Sequence, residues 1–269
     1  MNLSDFPFEK LPGIGRLREL VSNYYENRLL RRVKSRGHLP KHIGIILDGN
    51  RRFARNMSLS SEKGHLLGAK KLEEVLEWAQ DLDIQHMTVY AFSRENFRRS
   101  PEEVQTLMEL LKEKFEEVAK DERVHENEIR VRAIGDLDSL PEDVRAAIRE
   151  AERATEGYDS FSLNVAVGYG GRAELAEAVQ EICGRVRDGK LDPEDVDQDL
   201  IGENLYTADL PDPDLIIRTS GEERLSGFLL WQSAYSELYF CEANWPGFDR
   251  INFLRAIYNY QGRERRFGE

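Results

Sequence analysis

Residues 42–55 read HIGIILDGNRRFAR, and this stretch decides the fold. Its first part, residues 43–47, is a short apolar run rich in isoleucine, which predicts a strand buried on both faces. Asp48, Gly49 and Asn50 follow as a turn signal. Because ligands of open α/β sheets bind beyond the carboxyl ends of the strands, we expect a ligand site at this turn.

The residues around the turn have the chemistry of a phosphate site. Gly49 allows backbone amides to approach an anion closely, and Arg51 and Arg52 can each donate a planar pair of N–H groups to phosphate oxygens. Asp48 would repel such an anion unless a cation lay between them, and Mg²⁺ is commonly held by one or two carboxylates together with substrate phosphates. The alternative is a plain strand and turn followed by a solvated basic helix start.

Strand and helix patterns alternate along the rest of the chain. The predicted strands are residues 43–47, 85–92, 129–134, 161–167, 215–218 and 235–240. The predicted helices after the first strand are residues 64–82, 101–121, 141–155, 172–187 and 249–260. This alternation is typical of an α/β fold with a largely parallel central sheet flanked by helices. No Pro/Gly/Ser-rich linker or internal repeat divides the chain, so we predict a single domain.

Two further strand ends carry polar and basic groups. Residues 93–99 read SRENFRR, and residues 219–227 read TSGEERLSG. Glu237 lies among aromatic and aliphatic residues, where a buried carboxylate needs a cation or hydrogen bonds, so it is a candidate for a second metal-facing carboxylate. His65, at a predicted helix start, is either a cap or surface residue or an imidazolium that contacts phosphate.

The composition excludes several classes of protein. The chain has 269 residues, 40% of them hydrophobic, and a formal net charge of −12, which argues against a nucleic-acid partner. The two cysteines form neither a metal-ligand pattern nor a disulfide framework. No apolar run approaches the length of a membrane span, and the amino terminus lacks the apolar core of a signal peptide. We therefore expect a cytoplasmic protein.

Two helical segments allow two interpretations each. Residues 16–36 predict an amphipathic helix with seven basic and two acidic residues, which either packs on its own domain or touches an anionic membrane surface. We assign it to an N-terminal segment, residues 1–41, that precedes the main domain, residues 42–269. The helix at residues 101–121 has a wide apolar stripe, which either belongs to an ordinary core or lines a hydrophobic channel.

Five ordered blocks of the sequence resemble one enzyme family. They are HIGIILDGNRRFAR at 42–55, GH at 64–65, YAFSRENFRR at 90–99, LNVAVGYGGR at 163–172 and DLIIRTSGEERLSGFLLWQSAYSELYF at 214–240. These blocks resemble the cis-prenyltransferases, the undecaprenyl and dehydrodolichyl diphosphate synthases. The extended amino-terminal segment and the paired arginines after Asn50 look more like archaeal and eukaryotic members than common bacterial ones.

The resemblance implies an activity. It implies Mg²⁺-dependent, sequential condensation of isopentenyl diphosphate onto an allylic primer, farnesyl or geranylgeranyl diphosphate, giving a long polyprenyl diphosphate precursor of glycosyl-carrier lipids. The growing tail would enter an apolar tunnel walled partly by the helix at residues 101–121. The alternatives are a transferase with the same site and another prenyl acceptor, or a non-catalytic partner subunit.

The resemblance also implies roles for individual residues. Asp48 and Asn96 would be catalytic, and Asp48 and Glu237 would face the metal. The implied substrate-binding residues are Gly49, Asn50, Arg51, Arg52, Phe53, His65, Ser93, Arg94, Glu95, Phe97, Arg99, Arg218, Arg224, Leu225 and Ser226. Residues 49–53 and His65 would hold the primer diphosphate, whereas Arg218, Arg224 and Ser226 would hold that of isopentenyl diphosphate. A neutral amide is not a general base, so we expect Asn96 to orient a phosphate or water that takes the proton.

The sequence departs from the family pattern at three positions. Ser61 stands where many bacterial members have an arginine, Glu223 replaces a common histidine, and Gly247 stands where an acidic residue is frequent. The ending at residues 266–268, RFG, resembles a family tail that reaches toward the neighbouring active site in dimers. It implies a homodimer, and the alternative is a frayed basic terminus.

Overall fold

Six strands pair side by side in the part of the chain that the computed structural model describes, residues 14–263, with side chains from residue 19 onward. They are β1 (His42–Ile46), β2 (His86–Ser93), β3 (Ile129–Ile134), β4 (Phe161–Tyr169), β5 (Leu215–Arg218) and β6 (Glu237–Phe240). Their order is β3-β4-β2-β1-β5-β6, and every neighbouring pair is parallel. The predicted α/β class with a parallel sheet is confirmed.

The register of the central strands brings three chain segments to one edge of the sheet. Ile46 of β1 lies level with Tyr90 of β2 and with Arg218 of β5. Since the strands are parallel, the residues that follow them leave the sheet at the same edge, which we call the carboxyl edge. Strand β1 is buried along its whole length, as its apolar run predicts.

Helices flank the sheet, as predicted. The helices in the same unit as the sheet are α2 (Asn50–Asn56), α3 (Ser61–Gln80), α4 (Pro101–Val118), α5 (Glu122–Glu126), α6 (Glu142–Thr155), α7 (Gly171–Arg187) and α8 (Gln198–Glu203). The described residues also contain α1 (Ile14–Arg36) and α9 (Arg250–Tyr260), which belong to another unit. The helices predicted from periodicity are all present, with ends shifted by up to three residues. The helix α5 and the 3₁₀ helix Arg94–Arg98 were not predicted, because short helices have too few residues for a periodic pattern.

Local signals explain where α4 begins, and the structure also shows a β6 strand that is shorter than predicted. The Ser100 hydroxyl oxygen accepts a hydrogen bond from the Glu103 backbone N–H at 3.3 Å, and Pro101 occupies the first helical position. Strand β6 was predicted to begin at residue 235, but Tyr235 belongs to a turn and the strand begins at Glu237.

The described residues form two compact units, residues 40–248 and residues 14–39 together with 249–263. The first unit contains the sheet and α2 to α8. In the second unit, Arg36 Nη1 donates to the Tyr258 carbonyl oxygen at 3.4 Å, and Gln261 Nε2 donates to that of Val33 at 2.9 Å. None of the helices in the described part of the chain is long and apolar enough to cross a membrane. The domain boundaries drawn from the sequence stay predictions, and residues 1–13 lie outside the described part.

His42 lies at the amino edge of the sheet, opposite the carboxyl edge, and it is 1% exposed. Its Nε2 is 2.8 Å from Oγ1 of Thr88, and its Nδ1 is 2.6 Å from the carbonyl oxygen of Pro211. Burial lowers the pKa of His42 to about 4, although the hydrogen bond with Pro211 acts in the opposite direction. The imidazole is therefore neutral in the folded protein at pH 7.

We expect the free energy of unfolding to fall as the pH drops from 6.5 to about 4. In this interval the unfolded chain binds a proton at His42 that the folded chain does not, so stability present above the interval is lost on acidification, by up to about 3 kcal/mol. Denaturant titrations at a series of pH values measure this loss. The His42→Gln variant should show a flatter profile in the same interval, and a profile parallel to that of the wild type would contradict the assignment.

Candidate active site

Asp48 follows β1 at the carboxyl edge, and two residues from the end of β5 hold it. Its backbone N–H donates to Thr219 Oγ1 at 3.0 Å, and the Thr219 hydroxyl donates to the Asp48 carbonyl oxygen at 2.7 Å. Arg218 Nη2 donates to Asp48 Oδ2 at 2.7 Å. The second carboxylate oxygen, Oδ1, accepts no hydrogen bond from the described residues. Asp48 is thus fixed in place with one oxygen available for a ligand.

Arg218 connects Asp48 to the loop after β5. Its side chain is 5% exposed, and its Nη1 donates to Ser226 Oγ at 2.8 Å and to the carbonyl oxygen of Arg224. A buried guanidinium is costly unless it is paired, so these contacts hold the loop against the end of β1. Arg218 and Ser226, both predicted to bind the diphosphate of isopentenyl diphosphate, are in contact, and their role in binding stays a prediction. Leu225, between the two loop residues, packs against a buried hydrophobic cluster rather than lining this site.

Gly49 turns the chain from β1 into α2. Its φ is +99°, and a Cβ at this position would lie 2.5 Å from Asn244 Oδ1 and 2.9 Å from Ser220 Cβ. Only glycine fits both this backbone conformation and this space. The turn therefore depends on Gly49 for its shape, independently of any ligand.

Asn50 begins α2 and lies directly against α3. Its Nδ2 donates to the Leu47 carbonyl oxygen at 3.0 Å. A Cβ on Gly64 of α3 would lie 2.5 Å from the Asn50 carbonyl oxygen, and one on Gly68 would meet Asn50 Oδ1 at even shorter range. The two glycines therefore let α3 contact the turn directly.

Arg52 reaches across to the loop after β5. Its Nη1 donates to the Ser220 carbonyl oxygen at 2.7 Å, and its Nη2 donates to Glu222 Oε1 at 3.1 Å. The other oxygen of Glu222 accepts a hydrogen bond from Arg224 Nη1 at 2.5 Å. Hydrogen bonds from both arginines hold the pKa of Glu222 below its usual value. Glu222 therefore joins an arginine predicted for the primer to one predicted for isopentenyl diphosphate.

Arg51 points to a different acidic residue. Its Nη1 donates to Glu103 Oε2 at 3.3 Å, and Arg99 Nη1 donates to Glu103 Oε1 at 2.9 Å. His65 Nε2 lies 3.6 Å from the same carboxylate. Glu103 of α4 thus gathers three predicted substrate-binding side chains around one carboxylate.

His65 differs from its predicted roles. The cap of α3 is Ser60, whose side chain accepts from the Lys63 backbone N–H, whereas His65 is the fifth residue of the helix. Its side chain is 10% exposed, so it is neither a cap nor a surface residue. Burial, and then the positive charge of Arg99, lower the pKa of His65, which favours the neutral imidazole over the predicted imidazolium.

The residues that follow β2 have different contacts, and not all of them line the same cavity. The Asn96 side-chain oxygen accepts from the Ser93 backbone N–H at 3.1 Å and caps the 3₁₀ helix, and both residues line the same cavity as Asp48 and Glu95. The Phe97 ring instead stacks edge-on against another aromatic ring and does not line that cavity. Arg94 lies 3.5 Å from a carboxylate oxygen of Asp136 and 3.7 Å from one of Glu177.

The structure does not bring Glu237 to Asp48 within this chain. Glu237 is the first residue of β6 and pairs with Leu215, which pairs with Ile43 at the start of β1. Asp48 lies five residues beyond Ile43, which corresponds to about 16 Å along the strand direction. The sequence placed Glu237 near the metal by resemblance, but the register puts it toward the amino edge of the sheet. Its role as a metal ligand stays a prediction.

Three cavities adjoin one another at Leu47, Asn50 and His65, which line all of them. The first is a cavity of about 250 Å³ whose further lining includes Arg51, Arg52, Arg55 and Arg99. The second is a polar cavity of about 920 Å³ bounded by Asp48, residues 93–96, Arg218 and Ser226. The third, of about 250 Å³, runs between α3, α4 and the sheet and is mainly apolar, with lining residues that include Leu72, Leu76, Ala91, Leu111, Phe115, Leu163 and Val165.

Sequence reasoning missed four residues of this site. Arg55 is one helical turn from Arg51, so helical spacing after the turn could have placed it on the same face. Glu103 lies in the first turn of α4, where an acidic residue is expected for its interaction with the helix dipole alone. The contacts of Thr219 and Glu222 depend on pairing between distant strands. A pattern in one segment of sequence carries no signal for such contacts.

Comparison with known proteins identifies the family. The family model described as "Putative undecaprenyl diphosphate synthase" matches residues 46–268. The chain belongs to the undecaprenyl diphosphate synthase family. The predicted membership of the cis-prenyltransferases, and the prediction of a prenyltransferase enzyme, are confirmed.

Relatives and solved structures of the family agree with this assignment. The chain is 55% identical over 248 residues to a tritrans,polycis-undecaprenyl-diphosphate synthase (geranylgeranyl-diphosphate specific) of Thermococcus kodakarensis, covering 92% of this chain and 94% of that one. It is 53% identical over 251 residues to a Methanocaldococcus jannaschii protein of the same description, covering 93% and 89%. The structure of lavandulyl diphosphate synthase from Lavandula x intermedia, in complex with dimethylallyl diphosphate, is similar with a TM-score of 0.83 and 36% identity over 86% of this chain and 99% of that chain.

One departure from the family pattern has a structural counterpart. Gly247 lies beside Phe53, and a Cβ at Gly247 would be 3.4 Å from the Phe53 ring. An acidic side chain, frequent here in the family, would therefore contact the aromatic ring of a predicted primer-binding residue. Ser61 is the exposed first residue of α3, and Glu223 lies beside the Glu222 that pairs with Arg52.

We expect Gly49→Ala to destabilise the protein by about 1–3 kcal/mol, because the new Cβ meets Asn244 and Ser220 and the backbone there is left-handed. Thermal unfolding followed by circular dichroism measures the loss. The matched control is Gly184→Ala within α7, where a Cβ would meet no atom within 4 Å. Equal stability of the two variants would show that the turn tolerates a side chain.

Proposed function

We propose that the chain is a cis-polyprenyl diphosphate synthase that adds isopentenyl diphosphate repeatedly to an allylic primer with the help of Mg²⁺. The observation that carries the proposal is the meeting of a basic, a polar and an apolar cavity at Leu47, Asn50 and His65. A chain-extending prenyltransferase needs two neighbouring diphosphate sites and an apolar space for the tail. These three cavities would supply them.

The two polar cavities suit two diphosphates. The basic cavity, with four arginines, would hold the primer diphosphate through charge-assisted hydrogen bonds. Arg218 and Ser226 would hold the diphosphate of isopentenyl diphosphate in the second cavity, with Arg224 on the adjoining loop. These cations are a local exception in a chain of net charge −12.

Asp48 is the residue that fits Mg²⁺. Its Oδ1 is available, and Mg²⁺ is commonly bound by one or two carboxylates completed by substrate phosphates. The residues from 19 to 263 contain no group of three or more His, Cys, Asp or Glu side chains placed to hold a metal by themselves, which favours a site completed by the substrate. When bound, Mg²⁺ would neutralise charge that develops on the departing diphosphate.

In the proposed reaction, a carbon–carbon bond forms between the two substrates while the bond from the primer carbon to its diphosphate breaks. A proton then leaves the new allylic unit. The arginines of the basic cavity would stabilise the departing diphosphate, which is electrostatic catalysis. The amide of Asn96 is fixed by its bond to the Ser93 N–H and would orient the phosphate or water that accepts the proton.

The apolar cavity would take the tail, and geranylgeranyl diphosphate is the proposed primer. The cavity begins beside the diphosphate sites at Leu47 and His65 and continues to Leu163 near the amino edge of the sheet. The archaeal relatives carry "geranylgeranyl-diphosphate specific" in their names. Filling the cavity with successive isoprene units buries apolar surface and favours long products.

Substitution Asp48→Asn tests the proposal. With isopentenyl diphosphate, Mg²⁺ and either farnesyl or geranylgeranyl diphosphate, we expect the wild type to give a ladder of products that differ by one isoprene unit, detected by mass spectrometry. The variant should lose at least about a hundredfold in condensation rate, since it removes a charge that holds Mg²⁺. Asp138→Asn, on an almost fully exposed aspartate, is the matched control.

Two outcomes would contradict the proposal, the first its activity and the second its metal ligand. A wild-type protein that binds diphosphate but condenses neither primer would favour a different prenyl acceptor or a partner-subunit role. A ladder that persists in Asp48→Asn would remove Asp48 from the metal site.

Membrane contact and dimerisation extend the proposal. Leu20, Val21, Tyr24 and Tyr25 of α1 are exposed and accompanied by basic residues, which suits contact of a cytoplasmic enzyme with an anionic membrane surface. The tail at residues 266–268, on which the predicted homodimer rests, lies outside the described residues. Co-sedimentation with anionic vesicles and light scattering of the purified chain test the two proposals separately.

A further inference from the structure

Glu174 of α7 is a buried carboxylate that takes no part in the proposed reaction, and it is 2% exposed. Its Oε1 accepts hydrogen bonds from the Tyr206 backbone N–H at 3.0 Å and from Gln232 Nε2 at 3.1 Å, and its Oε2 accepts one from the Tyr169 hydroxyl at 2.5 Å. Burial raises the pKa of Glu174, and these three hydrogen bonds act in the opposite direction. One carboxylate therefore joins the end of β4, the segment after α8 and the segment that reaches Gln232.

Gln232 connects Glu174 to the loop that carries Ser226. We call residues 225–232 the Ser226 loop, and Gln232 is its last residue. Gln232 is 3% exposed, and its Nε2 donates to Thr207 Oγ1 at 3.0 Å as well as to Glu174. Because a buried amide is costly without hydrogen bonds, these two acceptors hold the end of the Ser226 loop in place.

Tyr169 supports the middle of the same loop. It is fully buried, and its ring packs edge-on against the Phe228 ring, with the ring centres 6.2 Å apart. Burial, and then Glu174, raise the pKa of the Tyr169 hydroxyl, whereas a hydrogen bond with the Leu229 backbone lowers it. The Tyr169 hydroxyl therefore lies between the Glu174 carboxylate and the backbone of the Ser226 loop.

The backbone of the Ser226 loop is strained. Ser226 has a φ of +51° and Leu229 a φ of +45°, in the left-handed region that side chains other than glycine rarely adopt. Such conformations cost free energy and persist only where surrounding contacts hold them. The Gly171 N–H, which donates to the Gly227 carbonyl oxygen at 2.8 Å, is one such contact, and those made by Tyr169 and Gln232 are others.

The other side of the Ser226 loop faces the polar cavity. Ser226, Gly227 and Leu230 line this cavity together with Asp48, whereas Tyr169, Glu174 and Gln232 do not. The loop thus lies between the cavity on one side and the buried carboxylate with its donors on the other. Any effect of Glu174 on a bound diphosphate must pass through the loop.

We propose that Glu174 is a positioning residue that holds the Ser226 loop in its left-handed conformation through Tyr169 and Gln232, and thereby sets the affinity for isopentenyl diphosphate. This inference rests on the proposed function, in which Ser226 binds that diphosphate. If the loop occupies the binding conformation for only part of the time, the apparent affinity falls by the same fraction.

Two substitutions test the inference by steady-state kinetics of the full-length chain with Mg²⁺ and geranylgeranyl diphosphate. Tyr169→Phe removes the hydroxyl but keeps the ring, and Glu174→Gln replaces one acceptor oxygen by an amide group that cannot accept. We expect both to raise the KM for isopentenyl diphosphate at least about tenfold, as the binding conformation falls to about a tenth of the population. The kcat and the KM for geranylgeranyl diphosphate should stay within about twofold of wild type, since other contacts hold Asp48 and the basic cavity.

Hydrogen exchange followed by mass spectrometry measures the loop itself, without substrate. Peptides that cover residues 225–232 should exchange faster in both variants than in the wild type, because local opening requires less free energy when the loop has lost a support. Peptides that cover residues 49–56 should exchange at the wild-type rate. Thermal unfolding checks that each variant folds, and the two variants change different residues, so a folding defect in one leaves the other as a test.

The matched control is Tyr206→Phe, which removes the same group from a neighbouring ring. The Tyr206 ring packs edge-on against Tyr169, and its hydroxyl donates to Glu177 rather than to Glu174. Its contact with Glu174 is made by the backbone N–H, which the substitution keeps. The KM values and the exchange of residues 225–232 should therefore equal those of the wild type.

The results separate this inference from the proposed function. If the wild type condenses the substrates and both variants keep its KM for isopentenyl diphosphate, or lose kcat instead, Glu174 does not position the loop for binding, while the synthase activity stands. An equal rise of KM in Tyr206→Phe, unchanged exchange of residues 225–232, or loss of the folded state in both variants would also overturn the inference. A wild type that adds no isoprene unit would overturn the synthase proposal and this inference with it.

Discussion

The ion pair between the buried Arg218 and the half-buried Asp48 is the contact on which the candidate active site depends. Its two members come from adjacent parallel strands, β5 and β1, and they meet because the register sets the ends of these strands level. The guanidinium has little access to water, so separating it from the carboxylate would leave an uncompensated buried charge. This contact fixes the Asp48 carboxylate, hydrogen bonds from Thr219 fix the Asp48 backbone, and Arg218 also holds the loop that reaches Ser226.

The cations around this pair are already arranged by acidic partners. Glu103 holds Arg51 and Arg99, and Glu222 holds Arg52 and Arg224. An arginine side chain loses much conformational freedom when it is ordered, and the carboxylates impose part of that order before any anion arrives. A diphosphate would meet guanidinium groups that are already oriented. Its oxygens would either replace the carboxylates as partners of the arginines or bind in addition to them. Under the proposed function, the acidic residues of the site would therefore help to position the groups that bind the anion.

Sequence reasoning reached the fold because the fold depends on local patterns, whereas most of the candidate site residues were predicted from the resemblance to a family. The buried strand at residues 43–47, the periodic helices and the Ser100 cap each leave a signal within a few residues. The sequence leaves no such signal for the different contacts of Arg51 and Arg52. Neighbouring residues in a helix point about 100° apart, and these two arginines reach different acidic partners. The position of Glu237 in the sheet could not be predicted for a related reason. Its surroundings in sequence are apolar, but only the pairing of β6 with β5 shows at which end of the sheet it lies.

The glycines of α3 have a consequence for how this enzyme can diversify. Gly64 and Gly68 leave no room for a side chain between α3 and Asn50, while other faces of the same helix line the apolar cavity and carry Glu73. On one face of α3, a larger side chain would displace the turn at Asn50. On another face of the same helix, the side chains border the cavity, and their size and charge can change. The substitutions that α3 tolerates therefore differ between its two faces. Descendants of this sequence can explore new cavity shapes on one side of the helix while the other side preserves the geometry of catalysis.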